Sequence, residues 1–359
     1  MAVPLFDPWP MHEPLREALL AAADRVLRSG RFILGPEVET FEVALADALD
    51  CSHAVGVSSG SDALLACLMA LDVGPGTEVV VPAYSFFATV GCVLRLGATP
   101  RFVDIDPGTM NAEADALLAA VTPHTKAVIA VPLFGRPIEG LNRIAEQVPL
   151  IEDNAQATGA APLQGLAACY SFFPTKNLGA LGDGGAVVTQ DAAFANRVRR
   201  TRAHGSGRKY HHDELGGNFR LDALQAALLS VKLPHLPAHN AARRQLAARY
   251  HAALPTGLTP QTPHAGHVYH QFVVRSAKRD ALRTALTAAG IGTEIYYPLP
   301  LHRQGFVETR HGRQPACREA DVLSAQVLAL PCYPGLTEDA QREVITKASA
   351  ACADLGIAA

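Results

Sequence analysis

The stretch Glu78–Asp104, EVVVPAYSFFATVGCVLRLGATPRFVD, sets an apolar β-branched run, a helix-length segment and a second strand-like run in immediate succession. EVVV (78–81) and PRFVD (100–104) predict strands, and residues 86–96 predict the helix between them. Strand, helix, strand is the repeating unit of a parallel sheet with helices on its faces. EVVV does not alternate apolar with polar residues, so both faces of that sheet should be covered.

The same rhythm continues outward from about residue 54 to residue 190. AVIAV (127–131), LIE (150–152), CYSF (169–172) and GAVVT (185–189) predict further strands, and 61–71 and 138–147 predict helices. Near Leu221 the composition changes: LDALQAALLSVKL and AARRQLAARYHAAL carry strong helix formers with apolar residues at helical spacing. After Pro255, HVYHQFVVRS reads as a strand, RDALRTALTAAG as a helix closed by Gly290, and IGTEIYY as another strand. The expected architecture is α/β, with a large domain over 1–240, built on a mostly parallel sheet covered by helices, and a small α/β C-terminal domain over 241–359.

The chain has 359 residues, 49% of them hydrophobic and 18% charged, with a net charge of -3. That composition excludes a disordered or fibrous chain, and the charge gives no general reason to expect nucleic acid. The N-terminal MAVPLFDPWPMHEP lacks a basic segment followed by an apolar core, and no run reaches the length of a membrane helix, so a cytoplasmic protein is expected. Seven cysteines without a C-x-x-C pair suit reduced core thiols, and no metal site is read from them.

Four stretches can carry chemistry. VSSGSDAL (57–64) places glycine and hydroxyls ahead of a helix, which reads either as a phosphate cradle built on Ser61 and the first free amides or as a plain serine N-cap. IEDNAQ (151–156) ends a buried strand with two carboxylates facing opposite ways, so one addresses a ligand and Gln156 offers an amide beside it, unless both only cap the turn. In CYSFFPTKNLGALGDGGA (169–186), Lys176 lies between an apolar run and four glycines. It is expected at a sheet edge, shielded by Phe172 and Phe173. There a desolvated amine would be neutral and able to form a Schiff base, the alternative being a surface lysine. Residues 197–212, RVRRTRAHGSGRKYHH, concentrate five arginines, one lysine and three histidines, either for a polyanionic ligand or as a solvated helix face and loop.

Taken together these segments closely resemble the DegT/StrS-type family of pyridoxal phosphate (PLP) dependent nucleotide-sugar aminotransferases, which have the aspartate aminotransferase-like fold, PLP-dependent transferase fold type I. The resemblance runs from about Phe32 to Pro334. It rests on SGSDAL (59–64), GPGTEVVVPAYSFFAT (74–89), VDIDP (103–107), VPLFGRP (131–137), IEDNAQATGA (151–160), SFFPTKNLGALGDGGAV (171–187), HGSGRKYHH (204–212), GGNFRLDALQAALLSVKL (216–233), YYPLPLH (296–302) and LALPCYPGLTE (328–338).

The resemblance implies that Lys176 bonds covalently to PLP and shuttles the proton, that Asp153 pairs with the pyridinium nitrogen, and that Gln156 contacts the phenolic oxygen. It implies that Phe86 stacks on the ring, that Ser61, the amide of Asp62 and Ser171 hold the phosphate, and that Asn218 completes the phosphate site of a neighbouring subunit, making the active unit a homodimer. Arg208, Tyr210, His211, Arg220, Tyr297 and His302 become candidates for the sugar and its diphosphate. Some relatives replace the lysine by histidine and are sugar dehydratases; this chain keeps Lys176. The implied reaction is transfer of an amino group, with L-glutamate the expected donor, to a keto nucleotide-sugar. SGSDAL and RKYHH favour the 3-position, the alternatives being a 4-keto sugar, an elimination, or a non-catalytic PLP-binding sensor.

Overall fold

The computed structural model describes residues 2–208 and 210–357. Met1, Ala358 and Ala359, at the outer limits of the two expected domains, and Lys209, within RKYHH, lie outside the described residues.

Seven strands form the large sheet: β1 (His53–Val57), β2 (Glu78–Pro82), β3 (Thr99–Val103), β4 (Thr125–Ala130), β5 (Leu150–Asp153), β6 (Ala167–Ser171) and β7 (Gly185–Thr189). Their spatial order is β1-β7-β6-β5-β4-β2-β3. The pairs β2/β3, β2/β4, β4/β5 and β5/β6 are parallel, and β7 runs antiparallel to both β6 and β1. Val79, Val80 and Val81 are all fully buried, as an unalternating run requires when helices cover both faces. Each such valine contributes about 1.5–3 kcal/mol by leaving water.

Because β1, β2, β4, β5 and β6 share a direction, the segments that follow them gather along one carboxyl edge, where open α/β sheets place ligands. The first turn of the helix Gly60–Ala70 follows β1, and Asp153 ends β5. Lys176 follows β6, the third strand in from the end of the sheet. The sheet edge expected for it is the carboxyl edge. Of the two phenylalanines expected to shield it, Phe172 is fully buried against Phe41, and Phe173, half exposed, lines the cavity with Lys176.

A hairpin, β8 (Ser206–Arg208) with β9 (His211–His212), projects beyond this sheet. The smaller sheet is antiparallel and joins β10 (Thr259–Pro260), β11 (Phe272–Arg275) and β12 (Val327–Leu330) in that order. Its core takes Phe272 and Val274, Leu282 and Leu286 of the helix Arg279–Ala288, and Val344 and Ala348 of Glu338–Asp354. The helix Leu236–Ala253 joins both cores, with Leu236 in one and Leu246 and Tyr250 in the other, so residue 240 falls within a continuous helix. Val3 also packs into the smaller core. Three sequence expectations change. HVYHQFVVRS pairs only over β11, IGTEIYY makes only isolated bridges at Ile291 and Glu294, and the helix expected over 138–147 shrinks to Asn142–Ala145 after Gly140 turns the chain.

Candidate active site

A cavity of about 460 Å³ opens at the carboxyl edge of the large sheet. Its walls bring together Ser61, Phe86, Asp153, Gln156, Ser171, Lys176 and Tyr297, residues far apart in sequence.

One end is built by the helix Gly60–Ala70. Ser59, not Ser61, is its N-cap: the Ser59 hydroxyl accepts from the Asp62 amide at 3.0 Å. That amide, expected to hold phosphate, is therefore engaged, and the Asp62 carboxylate accepts from the Ser58 hydroxyl at 2.6 Å. The amides of Gly60 and Ser61 remain at the positive end of the helix dipole, beside the hydroxyls of Ser61 and Ser171. Glycines allow this closeness. A Cβ on Gly60 would stand 2.7 Å from Ser171 Cβ, and one on Gly185 would stand 2.4 Å from the carbonyl carbon of Ser59. The result is an anion cradle where backbone, helix end and hydroxyls meet.

At the other end Asp153 is buried with no arginine beside it. Its Oδ2 accepts from Thr89 Oγ1 at 2.9 Å, and burial pushes its carboxyl upward, with Thr89 and Lys176 opposing. Glu152 faces away and accepts the amides of Gln164 and Gly165, each at 2.7 Å. Burial pushes Glu152 up as well, opposed by those two amides. The alternation of a strand thus sends one carboxylate to the cavity and one to structure.

Gln156 has a fixed orientation. Its Oε1 accepts from the backbone amide of Phe134 at 2.7 Å, so Nε2 is the end that faces Tyr297 Oη at 3.1 Å. A donor is thereby aimed into the cavity. The Tyr297 ring lies 5.8 Å from that of Phe86, tilted by 42°. Burial lowers the Lys176 amine to about 8, against the pull of Asp153 in the other direction. A good share of this amine is neutral near physiological pH.

These groups fit PLP: a hydroxyl and amide cradle for phosphate, a carboxylate for a ring N–H, an amide donor for a phenolic oxygen, an aromatic face, and a neutral amine for an aldehyde. Thr89, His270, Gln271 and Tyr296 also belong to the site, yet sequence reasoning did not single them out. Thr89 sat in the quoted PAYSFFAT, and two polar residues inside the apolar HVYHQFVV were the available signal.

Other expected site residues lie elsewhere. Arg208, Tyr210, His211, Asn218 and Arg220 are not on the walls of their own chain's cavity. Arg208 and His211 sit exposed on the hairpin, 3.2 Å apart, and Tyr210 is highly exposed. His302 is fully buried instead of facing the cavity, because the turn Leu301–Arg303 carries its ring against Phe102, with Nε2 3.2 Å from Asp321 Oδ1. The basic run 197–212 is largely neutralised within the chain: Arg197 pairs with Asp72, Arg200 with Glu214 and Arg202 with Glu42. Among the described residues no helix is long and apolar enough to cross a membrane, and no cluster of His, Cys, Asp or Glu is placed to hold a metal.

The chain is 43% identical, over 97% of its length and 98% of the relative's, to the "pleiotropic regulatory protein" of Geobacillus stearothermophilus. It is 43% identical, over 96% of each chain, to the UDP-N-acetyl-3-dehydro-alpha-D-glucosamine 3-aminotransferase of Acidithiobacillus ferrooxidans. Its fold superposes on Streptomyces venezuelae DesV, solved in complex with a ketimine intermediate, with a TM-score of 0.93 at 39% identity over 98% of both chains. That is PLP-dependent transferase fold type I. Residues 14–349 match the DegT/DnrJ/EryC1/StrS aminotransferase family, and the chain belongs to it.

Proposed function

We propose that this aminotransferase uses PLP to move an amino group from L-glutamate to the 3-position of a keto nucleotide-sugar, as a homodimer whose two sites share residues. The observation that carries the reading is the pairing, in one cavity, of a lysine whose amine burial lowers to about 8 with a buried carboxylate that has no arginine partner among the described residues. PLP, when bound, supplies an electron sink for charge developing on the substrate carbon. Asp153 accepts the ring N–H that keeps the sink effective. Gln156 Nε2 donates to the phenolic oxygen, Phe86 covers the ring face, and Ser61, Ser171 and the amides of Gly60 and Ser61 take the phosphate. Lys176 Nζ, a free amine at its lowered pKa, is the nucleophile toward the aldehyde and carries the proton at the substrate carbon.

Lys176 is the only lysine or arginine on the cavity wall among the described residues. A glutamate carboxylate and a sugar diphosphate call for more cations than that. Arg220 has a buried Nε without a partner, and Asn218 beside it is exposed. Phe87, Phe173, Leu181 and Leu215 leave large apolar surfaces uncovered. A second copy that covers this surface and lends Asn218, Arg220 and the hairpin residues Arg208, Tyr210 and His211 meets both needs. The 3-position, rather than the 4-position, is favoured by the 3-dehydro substrate named for the Acidithiobacillus relative.

The test is a panel of UDP- and dTDP-linked 3-keto and 4-keto sugars with L-glutamate and PLP. The expected result is a 3-amino sugar formed in equal amount to 2-oxoglutarate, with borohydride fixing the cofactor on residue 176. A protein whose cofactor spectrum ignores L-glutamate would instead be a non-catalytic sensor or regulator; the Geobacillus relative is named a regulatory protein. Dehydrated sugar without 2-oxoglutarate would make it an eliminating enzyme.

A further inference from the structure

The turn that carries Lys176 is held from behind by groups with no part in the scheme above. Lys176 N donates to the Phe173 carbonyl at 2.8 Å and Ala180 N to the Phe172 carbonyl at 2.7 Å, which closes residues 172–180 into one compact turn. A Cβ on Gly179 would stand 2.4 Å from the Pro174 carbonyl oxygen, so the two limbs of the turn lie in direct contact. The Gly179 carbonyl accepts from Lys232 Nζ, and the same Nζ lies 2.9 Å from His12 Nε2. Lys232 ends the helix Ala223–Lys232, and His12 ends the short helix Trp9–His12. One side chain thus ties the catalytic turn to the N-terminal segment.

Lys232 is buried, and its two partners are a carbonyl and an imidazole, with no carboxylate paired to it among the described residues. Burial lowers its amine to about 8, so about nine in ten are still ammonium at pH 7. An ammonium has only hydrogens to offer, so His12 Nε2 must accept, and His12 is a neutral ring with its hydrogen on Nδ1. Such a contact differs from a salt bridge: one proton on Nε2 turns the acceptor into a second cation. Burial and Lys232 both push the His12 pKa below the ordinary histidine value.

No anion stands ready to compensate. His235 and His239, which follow Lys232, and Arg243 beyond them are basic, and His235, Arg243, Lys232 and His12 all act on His239 as cations. The turn itself adds Lys176, with Asp183 exposed on the cavity side. On the N-terminal segment Asp7 accepts the Trp9 amide at 2.9 Å, and Glu13 is exposed. Of the carboxylates on the helices packed against Ala223–Lys232, Glu17 pairs with Arg16, Asp24 with Arg28, Glu37 with Arg25 and Glu42 with Arg202, while Glu39 and Asp47 are exposed. Asp222 caps the far end of the helix that Lys232 closes.

We propose that Lys232 is a positioning residue for Lys176, holding its turn through the Gly179 carbonyl, and that His12 sets the pH at which that hold is released. The inference rests on the aminotransferase reading above for the role of Lys176. With His12 neutral, Lys232 Nζ spans Gly179 and His12, and the turn presents Lys176 to the cavity. When His12 takes a proton from solvent, two cations face one another, the Trp9–His12 helix is pushed away, and Lys232 is drawn toward water and off the Gly179 carbonyl. The release is one-sided. A neutral amine above pH 8 still has two hydrogens for two acceptors, so only acid opens the latch.

The test follows the full chain with PLP bound, reading the rate at which L-glutamate changes the cofactor spectrum. The ratio of the His12→Gln rate to the wild-type rate should lie within about twofold of one at pH 7.5 and rise to about tenfold at pH 5.5, because a glutamine oxygen accepts from Lys232 and takes no proton. Lys232→Met should lose about thirtyfold in kcat at pH 7.5 with KM for L-glutamate within about threefold, and adding His12→Gln to it should change nothing at either pH. A purely structural pair would lower the melting temperature and leave these ratios flat with pH. ¹⁵N-labelled histidine gives a second reading: His12, assigned by the signals lost in His12→Gln, should be Nδ1–H with a bare Nε2 at pH 7.5. An Nε2–H ring at that pH, a ratio that ignores pH, or a wild-type kcat in Lys232→Met would overturn the inference and leave the aminotransferase reading standing. If Lys232→Met does not fold, the His12→Gln ratio and the ring nitrogens still decide. In a protein inert toward every amino donor the aminotransferase reading falls, and the same ratios are then read from reductive alkylation of Lys176 by a small aldehyde.

Discussion

Replacing Asp153 by asparagine should make Lys176 a better nucleophile and a poorer partner for its cofactor at the same time. In the wild type the amine sits at about 8, lowered by burial and raised by Asp153. At pH 7 about one amine in ten is then neutral, against about one in three thousand for a lysine at its ordinary value. Asp153→Asn removes the anion and leaves the burial, so the midpoint must fall further, and the neutral fraction at pH 7 rises by up to about tenfold, the limit set by complete deprotonation. Capture of a small aldehyde with no ring nitrogen should accelerate by up to that factor. PLP should respond the other way, because its ring N–H loses a charged acceptor worth about 1.5–3 kcal/mol, or about ten- to a hundredfold in affinity. The assay is reductive alkylation of the cofactor-free chain by a small aldehyde and cyanoborohydride across pH 6 to 10, with labelling at residue 176 quantified by peptide mapping, beside a spectrophotometric PLP titration. A midpoint that stays put or rises in Asp153→Asn would refute the electrostatic reasoning. Equal slowing of both aldehydes would show that the variant had lost the cavity and not the charge.

Thr89→Val removes the hydroxyl that donates to Asp153 at 2.9 Å and should weaken PLP binding by about ten- to a hundredfold in the same titration, with little change in melting temperature. Gly185→Ala drives a methyl to 2.4 Å from the Ser59 backbone, which cannot swing aside, and should cost about 1–3 kcal/mol in urea unfolding along with phosphate-dependent PLP affinity. Mixing Lys176→Ala with Asn218→Ala chains, each inactive alone, should restore about a quarter of wild-type activity after subunit exchange, since half the dimers are mixed and each mixed dimer has one intact site. No recovery would place Asn218 in the site of its own chain. His239, lowered to about 4 by burial and neighbouring cations, binds a proton in the unfolded chain below about pH 6.5 that the folded chain refuses. Stability should therefore fall as pH drops through that window, and His239→Gln should flatten the slope.

The parts of the fold legible in the sequence were those whose signal is local. EVVV and GAVVT declare themselves because a strand covered on both faces must be apolar throughout, and Val79–Val81 and Val187–Val188 are fully buried. His53–Val57 gave no such signal, since a histidine and a glycine interrupt the run, yet it completes the sheet by pairing with all of β7. IGTEIYY failed in the opposite sense. Its residues have strand propensity, but only isolated bridges to Val3 and Ala329 are available there, and a strand needs a ladder. Asp153, Gln156 and Lys176 were legible because each directly follows or ends a strand at the carboxyl edge, while His302 was misread because its neighbours in YYPLPLH reach the cavity and a single tight turn takes it away.

The basic run 197–212 carries the widest lesson about charge. Read as composition it promised a polyanion site, but a guanidinium is informative only after its carboxylates are counted, and Asp72, Glu214 and Glu42 take three of its five arginines. Of its arginines only Arg208 is exposed, and it stands on a hairpin off its own cavity, as Arg220 stands off it with a buried Nε lacking a partner. The cavity itself holds hydroxyls, amides, the carboxylates of Asp153 and Asp183 and one amine, enough to orient a cofactor and move a proton. On the proposed homodimer reading, handling of cofactor and recognition of a doubly anionic substrate fall to different surfaces of the same chain. That reading brings one copy's cationic surface to the other copy's cavity, which is why the subunit-mixing experiment bears on substrate binding and not on assembly alone.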